Sequence, residues 1–355
     1  MTKPHAQTAE APAKATHAGI LPSQGIEALI AAGKVRIAEP LVEKQLQPAS
    51  LDLRLGTIAY RVRASFLPAK GETVADKLDD LQLHSISLSQ GAVLETGCVY
   101  VAPLLESLSL PGDLSAAANP KSSTGRLDVF TRVIGDGITA FDQIPAGYSG
   151  PLYAEICPQT FPVVVRKGSR LSQIRFREGA SGEADVVDTV DLSVDLSGDK
   201  DGLVGYRAKR HTGLVDVDAV ASCSVLDYWE PIHVRDQKRL VLDPDQFYIL
   251  ASKEAVRVPP THAAEMVPFN PLVGEFRVHY AGFFDPGFGD EAAGGQGSRA
   301  VLEVRSHNVP FILEDGQTIG RLVYEQLTDT PKLIYGRDLS SHYQAQGLKL
   351  SKHFK

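Results

Sequence analysis

Cysteine is scarce in this chain. Cys98, Cys157 and Cys223 are the only three in 355 residues. None belongs to a C-x-x-C pair, and an odd number builds no disulfide framework. The three read as buried apolar thiols in a reducing compartment. No run approaches the ~18–20 apolar residues that a membrane span needs. Residues 1–18 lack the apolar centre of a secretory signal and read as a disordered N-terminal arm. These absences predict a cytoplasmic protein with no membrane partner. Cationic excess is missing as well. A net charge of -7 argues against a general nucleic-acid binder, which carries a basic face. An acidic chain still holds a phosphorylated small molecule where a few cations cluster. Metal-ligand clusters are lacking: no H-x-E accompanies a P-C-x-x-C, and His262 and Glu265 have the wrong spacing and no cysteine partners. G-x-S-x-G and G-x-x-x-x-G-K-[ST] are absent too.

Long helical patterns are few. Ser23–Gly33 reads as a short helix, capped by Ser23 and ended by Gly33. Elsewhere short apolar runs alternate with Gly, Pro, Asp and Ser, which predicts an all-β barrel or sandwich. The runs occur twice. Leu94–Pro120 lies on Leu242–Pro268 without gaps, and one offset of 148 positions carries Leu94 to Leu242, Glu155 to Glu303 and Gly168 to Gly316. Self-similarity of this length predicts two copies of one fold, a first domain over 19–217 and a second over 218–355. Glu178–Asp201, rich in Asp, Ser and Gly, reads as an exposed connection, and Asp290–Gly297 as a flexible hairpin tip.

Three places could carry chemistry. In Asn119–Arg126, Lys121, Ser122, Ser123, Thr124, Gly125 and Arg126 put hydroxyls and two cations beside a helix start, where free N–H groups bind anions. Read alone, the stretch is equally an N-capped surface turn. In Val278–Phe288, aromatic residues lead into an Asp285-Pro-Gly turn whose backbone could read a flat ring edge, though an ordinary β-turn accounts for it as well. Glu155 and Glu303 sit mid-strand among apolar neighbours. Alternation alone points them at solvent, whereas an apolar pocket would raise their pKa and fit them to move protons near neutral pH.

Taken together the pieces resemble the dCTP deaminase branch of the dUTPase-like superfamily. Gly25–Ile37 is similar to the family's opening helix and strand, Gln47–Gly56 to its second strand signature, and Lys121–Arg126 to its R/K-S-S-x-x-R phosphate motif. The resemblance implies distorted β-barrels, here two in tandem. It implies zinc-independent conversion of dCTP to dUTP and ammonia by a strand glutamate, with magnesium bound to the triphosphate. It also implies homo-oligomers with sites between subunits. The copies depart from the pattern in complementary ways. The first has Pro145 where the family has a sugar-binding Asp. The second has Phe269, Asn270 and Pro271 in place of Lys121, Ser122 and Ser123. A composite site follows, with Lys121–Arg126 on phosphate and Asp285 on the deoxyribose 3′-hydroxyl. The backbone near Ala281 would face the base, Val301 and Leu302 would also touch the substrate, and Tyr335, His342 and Gln346 would close over the nucleotide. Glu303 is the expected acid/base, assisted by Ser122 and Arg126, with Glu155 as its rival. Two alternatives accompany this expectation: dUTP diphosphatase activity, alone or combined with deamination, and a non-catalytic nucleotide-binding regulator.

Overall fold

A computed structural model describes residues 18–179, 186–234, 237–268, 276–278, 282–306, 308–338 and 347–355, with the backbone alone at 268 and 276–278. The chain is mostly β-sheet with few short helices. The opening helix spans Ser23–Ala31, and Gly33 follows it with φ +66. Ser23 is the first helical residue rather than the cap, because Pro22 holds the extended cap position and no side chain bonds there. A second helix, Val74–Leu81, starts at a capping box between Thr73 and Asp76.

Strand pairing repeats along the chain. Val99–Ser109 lies between Ile58–Val62 and Ser149–Pro158, and the last pairs on with Val129–Gly135. Phe247–Val256 lies in the same way between Leu203–Ala208 and Ser298–Ser306, which pairs on with Phe276–Val278. Ser172–Glu178 pairs with Leu114–Pro120, which takes Gln143–Ile144 on its other edge. Thr318–Gln326, His262–Pro268 and Phe283–Phe284 repeat that arrangement.

The sheets group differently from the expected division at 217. Val186–Ser193 pairs with Thr318–Gln326, and Leu203–Ala208 with Trp229–His233 and Phe247–Val256. Strands expected in the first copy are therefore bonded into the C-terminal sheets, because their open backbone groups find partners there. The stretch Glu178–Asp201, expected as an exposed connection, contains one of them. Residues 290–297 hold a 3₁₀ turn, Glu291–Ala293, capped by the Asp290 side chain.

The two groups of sheets share a core. Trp229, fully buried, packs against Phe161 at 5.3 Å, Phe354 at 5.7 Å and Phe247 at 6.0 Å between ring centroids. Polar contacts cross the same boundary. Arg175 is fully buried and donates to the carbonyls of Ala264 (2.9 Å) and Phe284 (2.8 Å). Arg177 bridges Glu325 and Glu265. A buried guanidinium left without partners would be costly, so these bonds fix how the halves meet. All three cysteines are free thiols, with Cys223 buried and the other two half-buried.

Candidate active site

Glu303 lies in the middle of Ser298–Ser306, with neighbouring strands on both sides. Alternation turns Val301 and Glu303 to one face and Leu302 to the other. Leu302 is fully buried in the C-terminal core and does not reach the cavity described below, which corrects its expected place among the substrate-binding residues. Burial pushes the Glu303 carboxyl well above the ordinary range. The Arg126 guanidinium pulls it partly back, and Asp128 adds to the rise.

What Glu303 rests on comes from the other half of the chain. After Leu114–Pro120 the backbone turns into the helix Ser122–Gly125, whose Thr124 and Gly125 amides donate to the Lys121 carbonyl. The carboxyl of Glu303 lies directly over Gly125: a Cβ there would stand 2.3 Å from one Glu303 oxygen and 2.9 Å from the other. Only a residue without a side chain permits this approach. Arg126, buried beside it, donates to the Lys349 carbonyl at 3.0 Å. Lys121 is paired with the buried carboxylate of Asp52, and Arg170 reaches the same carboxylate at 3.4 Å.

The Asp285-Pro-Gly turn forms the opposite wall. Arg175 lies 4.1 Å from the Phe283 ring centre and 3.5 Å from Asp285 Oδ1. Burial raises the Asp285 carboxyl, and Arg175 opposes that rise. Gly287 has φ +96, and a Cβ on it would come within 2.3 Å of Ile334. Its lack of a side chain lets Tyr335 dock, with the Tyr335 amide donating to the Pro286 carbonyl at 2.9 Å.

These walls enclose a cavity of about 440 Å³. It is lined by Lys121, Ser122, Ser123 and Arg126 from the first half and by Asp285, Val301, Glu303 and Tyr335 from the second. Thr124 is buried behind the wall and does not line it. Ala281, His342 and Gln346 lie outside the described residues. Glu155 lies elsewhere. It is buried, accepts from its cross-strand neighbour Arg132 at 2.7 Å, and is absent from the cavity wall. Arg132 stacks 3.8 Å from the Phe141 ring centre. The rival glutamate is thus tied to an arginine, whereas Glu303 faces the open space. Glu155→Gln is expected to leave turnover within about twofold of the parent, since the group lies away from the cavity, while Glu303→Gln is not. Steady-state rates of the two variants check this.

Two family models match. The 2′-deoxycytidine 5′-triphosphate deaminase N-terminal domain covers residues 17–180, and its C-terminal domain covers residues 162–354, more than half of the chain. The chain belongs to the dCTP deaminase family. A dCTP deaminase from Halorubrum lacusprofundi is 32% identical over 146 residues, 40% of this chain and 69% of the relative. A relative named "dCTP deaminase, dUMP-forming" from Methanoculleus marisnigri is 32% identical over 161 residues, 44% of this chain and 79% of its own. The crystal structure of 2′-deoxycytidine 5′-triphosphate deaminase from Agrobacterium tumefaciens is 61% identical, with a TM-score of 0.83 over 87% of this chain and 99% of that one. Among the described residues no helix is long and apolar enough to cross a membrane.

Several cavity residues of this dCTP deaminase family member escaped the sequence reading. Asp52 lies inside the Gln47–Gly56 signature, so a signal for it existed. Arg170, Gln173 and Lys352 also line the cavity, and no motif marks them.

Proposed function

We propose that the chain catalyses hydrolytic deamination of dCTP at one composite centre per chain. The observation that carries this reading is the contact of Glu303 with Gly125. A carboxylate raised by burial rests on the hydroxyl- and cation-rich segment of the other half. In this reading Glu303 takes a proton from water as the C4–O bond forms and returns it to ring N3. The second water proton leaves with the amino group as ammonia when the C4–N bond breaks. Ser122 and Arg126 orient the water and hold charge at the tetrahedral carbon, since fixed donors in a dry site act most strongly on developing charge. Lys121, Ser122 and Ser123 take phosphate, and Asp285 accepts from the 3′-hydroxyl. The backbone around Ala281 reads the cytosine edge, and Tyr335, with His342 and Gln346, covers the nucleotide.

Magnesium belongs to this proposal as a companion of the substrate. Among the described residues no group of three or more His, Cys, Asp or Glu side chains could hold a metal ion. The ion would ride on triphosphate oxygens and water, with at most one or two protein carboxylates, as magnesium does in nucleotide sites. In the same proposal the fold is two tandem dUTPase-like β-barrels from an internal duplication. The common 148-position offset and the repeated strand pairing support that.

The relatives named as dUMP-forming favour a second reading, in which the same cavity also cleaves the triphosphate after deamination. Product analysis with dCTP and with dUTP, each plus magnesium, separates the two. Ammonia and dUTP from dCTP alone fit deamination only, and dUMP with pyrophosphate fits the combined activity. Binding of dCTP without any product would overturn both.

A further inference from the structure

The segment 347–355 returns from the second half to the first and lies along the helix Ser122–Gly125. Ser351 Oγ donates to the Ser123 carbonyl at 2.7 Å, next to the bond between Arg126 and the Lys349 carbonyl. The Ala221 amide donates to the Lys352 carbonyl at 2.9 Å, and the amides of Ser222 and Cys223 donate to the His353 carbonyl at 2.9 Å. His353 is buried. Its Nε2 donates to the Val217 carbonyl at 3.0 Å, because a carbonyl only accepts. Phe354 closes the anchorage against Tyr228 and Trp229, at 5.4 and 5.7 Å between ring centroids.

Between these anchors the half-buried Lys352 is delivered to the cavity wall. Lys121 and Arg170 line the same wall, with the carboxylates of Asp52 and Asp218. Lys121, Arg170 and Lys352 thus share this wall, with Asp52 engaged by Lys121 and Arg170. Burial, then repulsion from Lys121 and Arg170, holds the Lys352 ammonium below the usual lysine range. A polyanion entering this end would relieve that repulsion.

We propose that Lys352 is a nucleotide-binding residue, a third cation beside Lys121 and Arg170 for the polyphosphate chain. The bonds of Ser351 and His353 fix it against the helix that carries Ser122 and Ser123. The proposal rests on reading the cavity as the dCTP site. It adds a contact from a segment that the motif reading left unassigned. It also makes the number of phosphates a point of selection, because a cation at this end gains most from a ligand with several.

The test uses the full chain and its variants Lys352→Met, Lys352→Gln and Lys352→Arg, each checked for an unchanged melting temperature. Inorganic tripolyphosphate is the first probe, by titration calorimetry. Both neutral variants should bind it about tenfold more weakly, as expected for loss of one charge-assisted contact, and Lys352→Arg should recover most of the affinity. With dCTP the KM should rise by a similar factor at nearly constant kcat, and with dCMP the change should be smaller. Unaltered tripolyphosphate affinity in both neutral variants would overturn the proposal even if dCTP is deaminated. Weakened tripolyphosphate binding by a chain that turns over no dCTP would sustain it while refuting the proposed activity.

Discussion

Glu303→Gln should lower the rate of dCTP deamination by about a thousandfold, within the ~10²–10⁴-fold that positioned acid–base groups contribute. Glutamine keeps the shape and the contact with Gly125 but cannot accept and return a proton. In the parent enzyme the acid limb of the kcat/KM profile should lie above the ordinary glutamate range. Burial raises this carboxyl, and the deprotonated form is the one that takes the proton from water. The same group acts on stability. Folded, Glu303 binds its proton more tightly than in the unfolded chain. Stability is therefore lost as pH rises from the ordinary glutamate value through the raised folded one. The glutamine variant lacks that loss. Its melting temperature should exceed the parent's, and the gap should widen from mildly acidic to alkaline pH. Melting curves across that range, beside initial rates, test both effects. A variant that is less stable at alkaline pH would refute the burial argument.

Gly125→Ala should be the next most damaging change although it removes no functional group. The new methyl would sit 2.3 Å from a Glu303 oxygen, so the carboxylate, the helix Ser122–Gly125, or both must move. Gly125 does not need the positive φ that favours glycine, so alanine is tolerated by the backbone and the nearest conflict is with the Glu303 carboxylate. A displacement of about 1 Å at a reacting group costs on the order of 10²-fold, and the loss should fall on kcat. Binding of tripolyphosphate should persist, since the cations lie on side chains that the methyl does not touch. A variant with parental kcat would show that Glu303 does not work from its position over Gly125.

The strand segments were readable because short apolar runs between turn residues have few other ways to bury themselves. Their grouping was not. Val186–Ser193 sets two aspartates among valines and lies in an Asp-, Ser- and Gly-rich stretch that looks like linker, yet it becomes a sheet edge because Thr318–Gln326 offers open backbone groups. Within the site, the Lys121–Arg126 pattern and the Asp285 turn were legible, since glycine, proline and paired hydroxyls mark special backbone. Glu155 and Glu303 could not be ranked from the strands alone. What sets them apart in the structure is Arg132, which faces Glu155 across a strand pair. The Gln47–Gly56 signature proved to serve two purposes. Arg54 donates to the buried Glu106 through its backbone amide and its side chain, both at 2.8 Å, and so locks the scaffold. Asp52, two positions earlier, reaches Lys121 in the cavity. Lys352 gave no local signal, because its place depends on anchors more than a hundred positions away.

The cavity draws Lys121 and Glu303 from a single polypeptide. The proposed chemistry is thus organised in cis, and that sets a rule for inheritance. Two copies of the gene, one carrying Lys121→Ala and the other Glu303→Ala, would each encode a chain with one half of its centre spoiled. Mixing their products would not restore turnover, because the intact pieces sit on different molecules. An enzyme whose centres lie between exchangeable subunits would be rescued by the same cross.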